Sequence, residues 1–115
     1  MDTSLAFADT LPEFVQRQAQ AALDQFLLNS ASAGQFRGRF QKTALLIQEL
    51  RPHPLSGETV HLPMALLRWK NDAWQLFFRG SRGRWQPFPG IQPSIRPAPL
   101  LHHIHRDELG IFWRQ

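Results

Sequence analysis

Arginine and aromatic side chains alternate in one stretch of the chain, and their types and spacing indicate a binding chemistry. Six cations lie between positions 68 and 96, where Asp72 is the one acidic residue: Arg68, Lys70, Arg79, Arg82, Arg84 and Arg96. Aromatic residues are interleaved with them, among them Trp69, Trp74, Phe77 and Trp85. Cations follow the phosphates of a nucleic acid, and aromatic rings stack on its bases. The stretch therefore predicts a surface for nucleic acid or another polyanion.

Histidines near the C-terminus are the weak candidates for a metal site. On a helix, His102 and His105 are three residues apart and share a face. Zinc catalysis usually takes three protein ligands and an open position, and Asp107 or Glu108 is near enough in sequence to add a carboxylate. A histidine-rich helix surface explains the same pattern without a metal. We therefore predict no metal and no cofactor.

Catalytic motifs are few. Glu49, Arg51 and His53 resemble an acid–base group, but they run into a proline-rich segment, and a Glu–Arg pair of this kind is usually structural. The chain has no cysteine, which excludes a thiolate nucleophile, a disulfide and a cysteine zinc site. It has no glycine-rich phosphate loop and no Gly-x-Ser-x-Gly elbow. We assign no catalytic residue and expect a protein that is not an enzyme, with an enzyme of unknown type left open.

A long amphipathic helix is predicted over residues 10–29. Its apolar residues recur at helical spacing: Leu11, Val15, Ala19, Ala22, Leu23, Phe26 and Leu27. Thr10 and Glu13 form a capping-box signature, and Pro12 falls in the tolerant first turn. The stripe is expected to cover a sheet, with pairing to a second copy as the alternative. Residues 1–9 are expected to be flexible.

An antiparallel sheet is predicted over residues 36–88. The stretch 36–50 fits either one long bent strand or a hairpin that turns near Gln41-Lys42, and residues 51–57 are expected to form a loop because of their two prolines. Strands at 64–70 and 74–79 are joined by a turn at Asn71-Asp72. Alternation places Arg68, Lys70, Phe77 and Arg79 on the face away from Trp69 and Trp74. The sequence leaves open whether a helix covers that face.

The C-terminal part predicts a short helix over 98–108, closed by Gly110. Ile111–Trp113 is strongly apolar, and we expect it to dock on the domain. At 115 residues the chain fits a single domain. The predicted class is α+β: a long N-terminal helix, an antiparallel meander of three to five strands, and a short C-terminal helix.

Charge is unevenly distributed along the chain. Residues 1–34 hold four acidic side chains and one Arg, whereas residues 35–115 hold twelve Arg or Lys and five acids. Asp2 and Asp9 stand where a signal peptide carries cations, and no stretch reaches the roughly 20 apolar residues of a membrane helix. We therefore expect a cytoplasmic protein that does not contact a membrane.

Four segments resemble a bacterial domain-of-unknown-function family, the one numbered three thousand and twenty-four. They are Glu49–Pro52, the aromatic hairpin of Leu67–Trp69 and Trp74–Arg79, Arg84–Phe88, and Gly110–Trp113. Family members often carry Asp and Asn in the turn after the hairpin, where this chain has Gly80 and Arg82, and often His where it has Gln86. The family has no assigned activity, so the resemblance implies the fold and no reaction.

Three function classes follow, in order of preference. The first is a non-enzymatic module that contacts nucleic acid or another polyanion through a basic, aromatic sheet face, with Arg68, Lys70, Phe77, Arg79, Arg82 and Arg84 as contacts. The second is a protein–protein or homodimerisation module that uses the same aromatic residues or the N-terminal helix. The third is an enzyme.

Overall fold

A computed structural model describes residues 10–29, 35–80 and 82–106 of the chain. The expectations for residues 1–9, Asp107, Glu108, the Gly110 cap and Ile111–Trp113 concern residues outside this part. Among the described residues the class is α+β, as predicted: an N-terminal helix, a five-stranded antiparallel sheet and a short C-terminal helix.

Helix α1 spans Glu13–Asn29, so it begins three residues later than predicted. The first intrahelical hydrogen bond runs from the Gln16 amide to the Pro12 carbonyl at 2.9 Å. Leu11 stays outside the helix because a residue that precedes proline is disfavoured in the helical region. The predicted apolar stripe is confirmed, since its residues Val15, Ala19, Leu23 and Phe26 are buried.

The five strands follow one another in sheet order: β1 (Gln35–Gln41), β2 (Ala44–Pro52), β3 (Thr59–Lys70), β4 (Ala73–Arg79) and β5 (Trp85–Pro87). The alternatives for 36–50 resolve to a hairpin, in which Gln41 pairs with Ala44. Lys42 takes a positive φ of 51° in its turn. In the β3–β4 turn Asn71 and Asp72 have φ of 56° and 60°, the pattern of a type I′ turn.

Residues 51–57 were expected to form a loop, but the first two of them belong to a strand. Arg51 and Pro52 end β2 and pair with Val60 and Thr59 of β3. A proline is tolerated there because Gln35, the first residue of β1, pairs with Leu50, so Arg51 and Pro52 have a neighbouring strand on one side only in the described part of the chain. The start of β3 was also missed, because the strand was predicted over 64–70 and it begins at Thr59. The register shifts between Ile47 and Gln48, and Pro63 lies at this irregularity, one of the few sheet positions that accept proline.

Both helices pack on one face of the sheet, which we call the inner face. Helix α2 spans Ala98–Arg106, and its Leu100, Leu101 and Ile104 join one buried cluster with the stripe of α1. The inner-face residues of the strands complete that cluster: Leu45, Ile47, Ala65, Leu67, Trp74 and Leu76. Gly38 of β1 allows the close approach of α1, because a Cβ there would collide with the Leu23 side chain. Neither described helix is long and apolar enough to cross a membrane.

Candidate nucleic-acid interface

The opposite side of the sheet, which we call the outer face, collects the cations of the strands. Strand alternation and pairing place five of them there: Arg37, Arg39, Arg68, Lys70 and Arg79. One row crosses the whole sheet from Arg39 through Leu46, Leu66 and Phe77 to Pro87. The outer face therefore has an apolar centre bordered by cations, and no described helix packs on it.

The outer face has no carboxylate among the described strand residues. The one acidic residue in the strands is Glu49, which pairs with Phe36 and so lies on the inner side. Glu49 forms an ion pair of 3.0 Å with Arg51, and the other ion pair in the described part of the chain joins Arg17 to Glu13 on α1. The cations of the outer face therefore have no acidic partner within the described structure.

Phe77 lies on the predicted face, but its ring is not exposed. The residue is 6% exposed, and the Arg68 guanidinium carbon lies 4.9 Å from the ring centroid. Phe77, which was predicted as a contact residue, is therefore covered by an arginine on the neighbouring strand. The contact is a cation–π interaction, which holds a planar cation where the sequence suggested an aromatic surface.

A second pair of the same kind lies next to the first. Arg79 is directly opposite Trp85, and its guanidinium carbon is 5.5 Å from the Trp85 ring. Trp85 is half-buried, whereas Arg79 is exposed. The outer face therefore presents two arginines that each lie over an aromatic ring.

Arg82 and Arg84 lie in the connection between β4 and β5. A hydrogen bond of 2.8 Å from the Gly80 amide to the Arg84 carbonyl closes this turn, and both arginines are exposed. Arg84 directly precedes Trp85, so alternation directs it away from the outer face. The structure thus groups Arg68, Lys70, Phe77 and Arg79 as predicted and places Arg82 and Arg84 at the margin.

The sequence of the chain matches one known protein family. A family model described as Domain of unknown function (DUF3024) matches residues 11–114. The chain belongs to this family. No curated protein and no solved structure matches it. The resemblance inferred from four short segments is confirmed over nearly the whole of this DUF3024 chain.

Sequence reasoning missed Arg37 and Arg39 as members of the outer face of this DUF3024 chain. Their alternation with Phe36 and Phe40 was visible, but the choice between a bent strand and a hairpin was open. Only the pairing of β1 with β2 shows that they share a face with Arg68. If the turn at Lys42 had been assigned from the sequence, the pairing of β1 with β2 would have placed both arginines on the outer face.

Gln48 is a buried polar residue of the outer face, opposite Arg37. It is 8% exposed, and its Oε1 has no hydrogen-bond partner among the residues that the structure describes. A buried acceptor without a donor costs about 1–3 kcal/mol, so its presence needs an explanation. Trp74 Nε1, on the inner face, is the other such atom in the described structure.

The histidine candidates remain apart from this surface. His102 and His105 both lie on α2, which packs against the inner face, and His102 is exposed. Among the described residues there is no group of three His, Asp or Glu side chains placed to hold a metal ion. His53 belongs to the β2–β3 loop, where its Nδ1 accepts hydrogen bonds from the Leu55 and Ser56 amides at 3.1 and 3.3 Å.

Proposed function

We propose that this chain is a binding module that contacts nucleic acid through the outer face. One observation carries the proposal: five cations share a sheet face whose described strand residues include no carboxylate. Four of the five are arginines, whose planar guanidinium groups match phosphate geometry and stack on rings. Arg82 and Arg84 lie at the margin and add positive charge near this face, although Arg84 is directed away from it.

Physical reasons support a phosphate ligand. Like charges on one surface repel each other, so a cluster without acids lowers stability slightly and raises the local concentration of anions. Phosphate contacts release the counterions condensed on a nucleic acid, which makes affinity depend steeply on salt. A sheet face that binds in this way needs no catalytic residue, which agrees with the absence of a complete catalytic motif in the sequence.

Protein–protein binding through α1 has less support from the packing. The predicted apolar stripe of α1 is buried against the sheet and α2, so a second copy could contact α1 only through its other residues, of which Phe14 and Leu28 are exposed. The mass of the chain in solution should therefore be measured together with its binding to nucleic acid, so that a dimer is detected.

The test is fluorescence anisotropy with a labelled single-stranded oligonucleotide, titrated at several salt concentrations. We expect the double variant Arg37→Gln/Arg39→Gln to bind more weakly and to reduce the slope of log K against log salt by about 0.7 for each phosphate that it no longer neutralises. The matched control is Arg17→Gln, which removes one exposed charge from α1 on the other side of the sheet. That control should leave both affinity and slope nearly unchanged.

Two results would reject the proposal. One is the absence of binding by the unaltered chain at low salt. The other is an equal decrease in affinity, per charge removed, for Arg17→Gln and for the double variant, which would mean that net charge alone determines the interaction.

A further inference from the structure

We propose that the nucleic acid is single-stranded and that its bases stack on the guanidinium planes of Arg68 and Arg79. This inference rests on the proposed function. It concerns two features that we call stacking platforms: Arg68 over Phe77, and Arg79 over Trp85. Each platform is a planar cation with a ring on one side of it.

The platforms have the chemistry that bases require. A guanidinium group stacks on a base as aromatic side chains do, and it brings a positive charge near the adjoining phosphate. A cation–π contact restricts the rotamers of an otherwise free arginine, so less side-chain entropy remains to be lost when a base stacks on it. Phe77 therefore acts below Arg68 as a positioning residue.

The spacing of Phe77 and Trp85, the residues that carry the rings of the platforms, favours a strand whose bases are separated. Phe77 is directly opposite Pro87, and Trp85 lies two residues before Pro87, so the two rings occupy diagonal positions across β4 and β5. Diagonal positions of this kind are about 7–8 Å apart. Bases stacked on one another in a duplex strand rise by about 3.4 Å. Neighbouring platforms therefore match bases that are unstacked from each other, as in single strands.

A duplex fits the outer face poorly. Five strands span about 19 Å from the first strand to the last at the usual spacing, whereas the major groove of B-DNA is about 12 Å wide. A helix can enter that groove, but both described helices pack on the inner face. A duplex could therefore meet the outer face only through its phosphates, with its bases out of reach.

One narrower element extends from the sheet, but its charges are balanced. Beyond the described part of β1 and the end of β4, the structure shows β2 and β3 continuing as two paired strands, here called the ribbon, to a loop in which Leu55 is 92% exposed. Arg51 on this ribbon forms an ion pair with Glu49, which lies just before the ribbon opposite Phe36 of β1, and Glu58 lies near the far end of the ribbon. A two-stranded ribbon can enter a major groove, yet this one lacks the excess of cations that a duplex requires.

The test separates stacking from charge with substitutions that keep every charge. The double variant Arg68→Lys/Arg79→Lys replaces both guanidinium planes by ammonium groups, which bind phosphate but do not stack as planes. The matched control is Arg37→Lys/Arg39→Lys, on the same face but with no ring contact at either arginine in the described structure. Affinity is measured by anisotropy for a single strand, a duplex of the same length, and a strand of the same length without bases.

We expect the unaltered chain to bind the single strand about tenfold or more tightly than the strand without bases, which has the same phosphates. Arg68→Lys/Arg79→Lys should lower the affinity about tenfold for the single strand and little for the duplex or the strand without bases. The control pair should change all three affinities by less than about twofold, because lysine still contacts phosphate.

Each failure has its own meaning. If the unaltered chain binds none of the three probes at low salt, the proposed function itself is wrong. If it binds the single strand and the strand without bases equally, or if the two lysine pairs behave alike, nucleic-acid binding stands and stacking on the platforms is wrong. Tighter binding of the duplex would overturn the inference in the same way.

Discussion

The two faces of this sheet come from the same strands, yet they differ in what packs on them. Inner-face residues such as Leu45, Ile47 and Leu67 are fully buried with α1 and α2. Outer-face residues Leu46 and Phe77 are also buried, at 8% and 6% exposure, but they do not belong to that cluster. Cations border them instead. Burial alone therefore does not distinguish the face that packs on the helices from the face that we propose for binding.

The difference has a physical origin in how long side chains behave. An arginine can lie along apolar surface and keep its charged end in water. Arg68 does this over Phe77, and it shields an aromatic ring without a second layer of secondary structure. The outer face thus gains shielding for its apolar centre and keeps its positive charge at the same time.

Leu45 and Leu46 provide the largest test of this comparison, because they are neighbours in β2 and lie on opposite faces. Leu45→Ala should reduce the free energy of unfolding by about 3–5 kcal/mol, since it leaves a cavity between the sheet and the helices. Leu46→Ala should cost about 2 kcal/mol, because the arginines beside it can settle into the vacated space. Urea denaturation of both variants measures the difference.

The comparison would fail if the two leucine variants were destabilised equally, with the same dependence on urea. That result would mean that the centre of the outer face is as rigidly packed as the core. A greater destabilisation by Leu46→Ala would reverse the assignment of the two faces.

Gln48 allows a test with the opposite sign. Its unpartnered Oε1 should make the native state less stable, so Gln48→Met should raise the free energy of unfolding by about 1–2 kcal/mol. The matched control is Gln75→Met, a half-buried position on the same face with no buried unpartnered atom. That control should change stability by less than about 0.5 kcal/mol. Thermal melting of the two variants and of the unaltered chain measures these differences in stability.

If Gln48→Met raises stability and weakens nucleic-acid binding, the polar group of Gln48 is connected to the proposed function of the outer face. If the variant raises stability without any change in binding, Gln48 only destabilises the fold. No gain, or a decrease in stability, would contradict the view that the buried acceptor destabilises the fold.

Much of this fold could be predicted from local patterns. The stripe of α1 and the alternation in β3 and β4 are strong periodic signals, and Asn71-Asp72 is a turn that tolerates two positive φ angles. The errors arose at two strand segments that contain proline, the end of β2 and the start of β3. Pro52 lies beyond the described part of β1 and Pro63 at an irregularity, and both situations depend on the neighbouring strand rather than on the local sequence.

The candidate site was less predictable than the fold. Alternation alone grouped Arg68 with Phe77, but it could not show that the arginine covers the ring. It also could not add Arg37 and Arg39, because their face depends on which strand β1 joins. Which side the helices cover is decided by packing over the whole sheet, and no local pattern contains that information.

Asp72 offers the smallest test, at the border of the outer face. Together with Thr43, Arg68 and Lys70 it lines an open cleft of about 460 Å³ at the β3–β4 turn. Asp72→Asn removes the carboxylate and keeps a side chain that tolerates the positive φ of this position. We expect affinity for a single-stranded oligonucleotide to rise by about twofold, the size of an exposed charge interaction, with stability nearly unchanged.

Asp24→Asn is the matched control for that small effect, because it removes one exposed carboxylate from α1 on the opposite side of the sheet. An increase for Asp72→Asn alone, which disappears at high salt, would show that the outer face recognises the anion locally. Equal increases for both variants would point to net charge, and the two faces would then differ in packing but not in binding.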